Sequence, residues 1–153
     1  MGYFPKRQFS ASPRGGFRSG LEADIADNLK KQGTVFEYET LRVSYTQPEK
    51  PRTYTPDFDL DNGIIVEAKG RFLTADRQKH KFIKAQHPDL DIRFVFSNPN
   101  AKINKGSKTS YADWCDRYGF KYAAKLVPVE WMQEPAEPTR LAAVAKLTRK
   151  EQK

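Results

Sequence analysis

Asn62-Gly63 ends one run of strand-forming residues and begins another, so the middle of the chain is committed to a sharp turn there. Asn-Gly between aromatic and β-branched residues favours a hairpin, because both residues tolerate positive φ. The flanking runs are Tyr54-Thr55-Pro56-Asp57-Phe58-Asp59-Leu60 and Ile64-Ile65-Val66-Glu67-Ala68-Lys69-Gly70. Two registers are open. A two-residue loop sets Phe58 opposite Glu67 and mixes apolar with charged side chains on both faces. A three-residue loop, Asp61 to Gly63 with Gly63 left-handed, sets Leu60 opposite Ile64 and Asp57 opposite Glu67. Strand side chains alternate, so one face then carries Phe58, Leu60, Ile64, Val66 and Ala68, and the other Asp57, Asp59, Ile65, Glu67 and Lys69. This register separates apolar from polar, and it is the one expected.

The polar face is a chemical proposition. Carboxylates directly opposed across a ladder repel each other unless a cation sits between them. Mg²⁺ prefers carboxylate oxygens, and Lys69 shares the face two residues beyond Glu67. Pro56-Asp57 followed by Glu67-Ala68-Lys69 is similar to the pattern of the PD-(D/E)xK nucleases. A charged strand face turned to water would carry the same residue types, so the motif does not decide by itself.

Composition narrows the partners. Lys and Arg outnumber Asp and Glu by 27 to 19, for a net charge of +8, which favours a polyanion: nucleic acid or an anionic membrane surface. An inert basic surface would have the same balance. No apolar run approaches membrane-spanning length and no signal-peptide core follows Met1, so no membrane association and a cytoplasmic location are expected. The single cysteine, Cys115, excludes an intrachain disulfide and suits a reducing compartment. At 153 residues the chain is expected to form one domain with a modest core.

Residues 1–16 read as a flexible basic arm with Lys6, Arg7 and Arg14 and no acid. Leu21, Ile25 and Leu29 recur every fourth position, predicting a helix over 19–32 that ends at Gly33. Ser19 with Glu22 has the form of a capping box, which by itself accounts for Glu22. Strands are expected at 35–39 and 41–45. Pro48 and Pro51 then suggest an extended, stiff bridge over 46–52 and not a tight turn. After the hairpin, a helix capped by Thr74 runs to Gln86, with base at Arg77, Lys79, Lys81 and Lys84 and a narrow apolar side at Phe82 and Ile83. His80 lies within it, and a lone histidine is more often neither ligand nor acid. A strand at 91–97, a basic loop at 98–108, a helix opened by Ser110-x-x-Asp113 and closed by Gly119, and a short strand at 120–123 follow. Trp131 is expected to pack back on the core. Residues 133–153 read as a basic tail with a possible helix over 140–150.

The order of elements matches the mixed α/β core of the PD-(D/E)xK superfamily. Four stretches carry a closer likeness: Phe17-Arg18-Ser19-Gly20-Leu21-Glu22, Tyr54-Thr55-Pro56-Asp57-Phe58, Val66-Glu67-Ala68-Lys69-Gly70, and Gln86-His87-Pro88 ahead of Leu90-Asp91-Ile92-Arg93. Together they resemble the bacteriophage endonuclease I family, the Holliday-junction resolvases of short-tailed lytic phages. The likeness runs from about Phe17 to Trp131. It implies a metal-dependent endonuclease that acts on branched DNA in the host cytoplasm as a domain-swapped homodimer, with residues 17–45 exchanged across the 46–52 bridge onto a 53–132 core. It also implies a composite site with Glu22 from one chain and Asp57, Glu67 and Lys69 from the other. Mg²⁺, replaceable by Mn²⁺, would be held by Asp57, Glu67, the Ala68 carbonyl and Glu22. Candidate phosphate contacts are Lys6, Arg7, Arg14, Arg18, Arg71, Arg77, Lys79, His80, Lys102 and Lys105. The rival readings are a non-catalytic DNA-binding module, which would not need three such groups on one face, and a nuclease acting on linear or nicked duplex.

Overall fold

The computed structural model describes residues 16–47 and 50–150. The basic arm, with Lys6, Arg7 and Arg14, lies outside the described residues. Helix α1 (Gly20–Lys31) is opened by Ser19, whose Oγ accepts from Glu22 N at 3.1 Å, and Gly33 follows its end at φ 69°. Its fourfold repeat works as expected, since Ile25 and Leu29 are fully buried.

The hairpin forms in the three-residue register. Strands β4 (Phe58–Leu60) and β5 (Ile64–Lys69) pair Phe58 with Val66 and Asp59 with Ile65. Gly63 closes the turn at φ 95°, and its N–H donates to Leu60 O at 3.0 Å. Asn62 does more than turn: its Oδ1 accepts from Ile64 N, and its Nδ2 donates to Trp131 O and Glu134 O, pinning the C-terminal segment. A five-stranded sheet grows around the hairpin in the order β1 (Phe36–Tyr38), β4, β5, β6 (Asp91–Phe96), β7 (Lys121–Ala124). The first two are antiparallel neighbours and the last three run parallel. This is a mixed α/β fold with parallel and antiparallel pairing in one sheet.

Both faces are covered. Phe58, Leu60, Ile64 and Val66 join Ile25, Leu29, Val95 and Trp131 in one core. Ile65, Phe94 and Phe96 join Phe72, Ile83, Trp114 and Phe120 in the other. Parallel strands sandwiched between helices read as buried throughout, and β5 does over Ile64 to Glu67. The solvated-face alternative for the acidic strand residues is therefore excluded. Helix α3 (Tyr111–Tyr118) has its capping box at Ser110 and Asp113 and its left-handed stop at Gly119.

Helix α2 (Thr74–Gln86) differs from expectation at its start. Its cap position is Leu73, whose N–H donates to Asp76 Oδ2 at 3.1 Å, while Thr74 Oγ1 accepts from Arg77 Nη2. Its buried side is Arg77, His80 and Ile83. Spacing of three residues puts them on one side of the helix whatever their polarity.

The described flanks of the expected 46–52 bridge lie side by side, and residues 48–49 between them fall outside the described residues. Strands β2 (Leu41–Gln47) and β3 (Lys50–Tyr54) pair as a hairpin, with Thr46 opposite Pro51 and Gln47 opposite Lys50. Pro51 lacks an N–H to give, but β3 lies at the edge of its sheet, where a proline is tolerated. The other edge of β2 is taken by β8 (Thr148–Arg149), and Lys150 N donates to Thr40 O. The described part of the expected tail thus closes on β2 through Thr148 to Lys150. Helix α4 (Val129–Gln133) is followed by α5 (Pro138–Ala145), which starts on a proline because that position has no intrahelical N–H to satisfy. Arg93 and Arg140 bridge Asp91 and Glu134, and Arg149 bonds both oxygens of Asp59. Arg140 and Arg149, from the expected basic tail, thus pair with carboxylates of the fold. Among the described residues no helix is long and apolar enough to cross a membrane.

Candidate active site

Asp57 precedes β4, Glu67 and Lys69 end β5, and Glu22 sits in the first turn of α1. One chain brings all four together. A carboxylate oxygen each from Glu22, Asp57 and Glu39 lies within 4.8 Å of the other two, and all three residues are buried. Glu39 is the member that sequence reasoning missed. It follows β1 with φ 55°, a left-handed conformation that costs on the order of 1 kcal/mol for a side chain of this kind. Its N–H donates to Asp57 O at 2.8 Å, which ties the flipped residue to the site. No spacing in the sequence signals such a flip.

Ser19 caps α1 from its side chain, but the Glu22 carboxylate takes the N–H of Arg18 in place of the expected capping-box bond and joins the cluster. Its Oε1 accepts from Arg18 N at 2.9 Å and from the Tyr38 O–H at 2.5 Å. Burial pushes its carboxyl above the usual range, the donors Tyr38 and Arg18 N oppose this, and the charge of Glu39 adds to it. Asp57 is pushed well up, first by burial and then by the charges of Glu67 and Glu22, against the Ala68 N–H that reaches its Oδ2 at 2.9 Å. Crowded carboxylates with no cation between them favour the protonated form for this reason.

Glu67 stands beside this triple. Its Oε1 accepts from the Tyr54 O–H at 2.7 Å and from Asp57 N at 3.4 Å, and its Oε2 lies 3.5 Å from Lys69 Nζ. Lys69 is also held by Asp76 Oδ1 at 3.2 Å. Burial would lower the ammonium, but Glu67, Asp76 and Asp57 outweigh it and hold it above its ordinary value. The donor set is carboxylate oxygen throughout, buried and crowded, which fits a hard divalent cation better than a soft one.

The candidate phosphate contacts divide. Arg18, Arg71, Lys102 and Lys105 are exposed, and Lys79 is half-buried with its ammonium over the Tyr54 ring. Two are corrected. His80 is fully buried among Tyr54, Phe94 and Phe120, with neither ring nitrogen hydrogen-bonded, and burial lowers its pKa well below the usual value, so it stays neutral and cannot reach DNA. Arg77 is buried as well, and its guanidinium is used on Phe72 O, Ile103 O and Thr74 Oγ1. Both sit on the inward stripe of α2, which a count of its bases did not reveal.

The model of one protein family, described as phage endonuclease I, matches residues 1–153. Endonuclease I of Escherichia phage T7 is 52% identical over 121 residues, covering 79% of this chain and 81% of that protein. Endodeoxyribonuclease 1 of Enterobacteria phage T3 is 50% identical over 119 residues, 78% of each chain.

Proposed function

From the finding that this chain belongs to the phage endonuclease I family, we propose that it is a metal-dependent DNA endonuclease that resolves four-way and other branched junctions. The observation that carries the catalytic reading is the buried carboxylate cluster of Glu22, Glu39 and Asp57 beside the Glu67–Lys69 pair. A non-catalytic DNA-binding module gains nothing from acids there, because without a cation they repel phosphate.

The reaction is phosphodiester hydrolysis, in which water adds to phosphorus and one P–O ester bond breaks. Asp57, Glu67, the Ala68 carbonyl, Glu22 and Glu39 are the groups suited to hold Mg²⁺ or Mn²⁺. When bound, such cations activate water and offset the charge that builds on the phosphoryl oxygens. Lys69, kept cationic by Glu67 and Asp76, is suited to orient the water and neutralise a phosphate oxygen. Arg18, Arg71, Lys79, Lys102 and Lys105 are suited to the flanking backbone.

Two symmetric cuts in a junction call for two sites, so a homodimer belongs to the same proposal. The β2–β3 hairpin supplies a route to it. If β2 and β3 pair between two copies instead of within one, the 17–45 unit then meets a partner's Asp57, Glu67 and Lys69. The test compares a four-way junction with a linear duplex of the same sequence, with and without Mg²⁺, for wild type and Asp57→Ala. Metal-dependent cleavage of the junction that is lost in a folded, DNA-binding Asp57→Ala supports the proposal. Equal cleavage of both substrates refutes junction selectivity, and cleavage by Asp57→Ala refutes the site.

A further inference from the structure

We propose that Tyr54 is a positioning residue of this site, acting through Glu67; the inference rests on the metal-dependent reading above. Tyr54 ends β3 and is 2% exposed. Its hydroxyl donates to Glu67 Oε1 at 2.7 Å. Burial first, and then the Glu67 carboxylate, raise the phenol well above its ordinary value, so it remains a donor.

The ring itself is fixed. His80 meets it edge-on at 4.9 Å, and the Lys79 ammonium lies 5.1 Å above it. The backbone of Tyr54 is held opposite Val43 in the β2–β3 ladder. A rigid ring with one polar atom therefore chooses the orientation of the Glu67 carboxylate. Oε1 is held by Tyr54 and the Asp57 N–H, and Oε2 is left toward Lys69.

The chemistry of the donor matters. A lysine or arginine in place of the phenol would fix the carboxylate but also cancel its charge and compete with a cation. A neutral hydroxyl fixes it and leaves the charge. The same device recurs on the other face of the sheet, where the Tyr38 hydroxyl holds Glu22 Oε1. Tyr38 belongs to the α1-side core and Tyr54 to the α2-side core, so each face contributes one phenol to one carboxylate. Outer partners of carboxylate ligands of this kind typically change metal affinity or activity by about 10- to 100-fold when removed.

The test is Tyr54→Phe, which keeps the ring and its contacts and removes the hydroxyl. Two quantities are read: the Mn²⁺ concentration giving half-maximal junction cleavage, and the Mn²⁺ concentration giving half-maximal thermal stabilisation of the protein without DNA. Both are expected to rise by about 10- to 100-fold, with cleavage recovering at high Mn²⁺. 3-Fluorotyrosine at position 54 keeps the fold and the donor and is expected to restore both to wild-type values. If wild type itself shows neither Mn²⁺ stabilisation nor metal-dependent cleavage, the metal reading fails and this inference falls with it. If wild type shows both and Tyr54→Phe has unchanged midpoints, the positioning role is overturned, whatever happens to its metal-free melting temperature. Loss of cleavage at every Mn²⁺ concentration with an unchanged stabilisation midpoint overturns it equally.

Discussion

Glu22→Gln separates two jobs that one side chain performs. Glu22 Oε1 serves Arg18 N and Tyr38 O–H, while its carboxylate lies within 4.8 Å of Glu39 and Asp57. An amide keeps an acceptor of the same reach and loses only the charge. Glu22→Ala loses both. Relief from burying a charge near two other carboxylates is the same in both variants and cancels in their difference. What remains is two hydrogen bonds and the Tyr38 hydroxyl that alanine leaves buried without its carboxylate partner. At about 1 kcal/mol for each neutral hydrogen bond, plus the cost of the stranded hydroxyl, Gln should exceed Ala in stability by about 2–3 kcal/mol. Alanine's better helix propensity returns only about 0.4 kcal/mol. For a chain of this size the gap corresponds to roughly 5–10 °C in melting temperature. The assay is thermal unfolding of metal-free protein alongside cleavage of a four-way junction in Mg²⁺. Both variants should lose cleavage, while Gln melts near wild type or above it and Ala well below Gln. Wild-type cleavage by Glu22→Gln would reduce Glu22 to a helix cap. Equal melting of Gln and Ala would refute the hydrogen-bonding account.

Asp57→Asn should stabilise the metal-free protein at neutral pH, and the gain should shrink on acidification. Asp57 takes up a proton more readily folded than unfolded, so its charged form destabilises the fold above its ordinary 3.8 and its protonated form does not; melting curves from pH 8 to pH 4 check the sign. Glu134, held down to about 2 by its hydrogen bond from Arg93, contributes stability present above its ordinary 4.5 and lost as pH falls toward 2, so Glu134→Gln should flatten that acid limb. Arg149→Ala strands the buried Asp59 carboxylate and should cost about 1–3 kcal/mol in denaturant unfolding, discounted for the half-exposed guanidinium; adding Asp59→Asn should recover part of it. If the 17–45 unit is exchanged in a dimer, mixing Glu22→Ala with Asp57→Ala should restore one site and nicking of a junction. Mixed dimers that form but do not nick would place Glu22 and Asp57 in the same chain's site.

The hairpin register was legible in the sequence because it follows from local rules. Asn62-Gly63 demands a turn, side chains alternate, and only one loop length keeps Phe58, Leu60, Ile64 and Val66 on one face. The same rules put Asp57 opposite Glu67 with Lys69 beside them, and the caps at Ser19, Ser110 and Gly119 were equally local. What the sequence could not decide depended on contacts between distant segments. Glu39 enters the cluster through a backbone flip bonded to Asp57 O, and Tyr54 reaches Glu67 across thirteen residues of chain. His80 and Arg77 looked like members of a basic face, and only the packing of α2 on the sheet turned them inward. The prolines of 46–52 fix local backbone angles but not whether β2 and β3 pair with each other. The tail's Arg140 and Arg149 became structural because Asp91 and Asp59 were waiting far away in sequence. Turn chemistry and alternation act over a few residues, so they can be read from the chain; which charge meets which is set by the tertiary fold that brings remote side chains within reach.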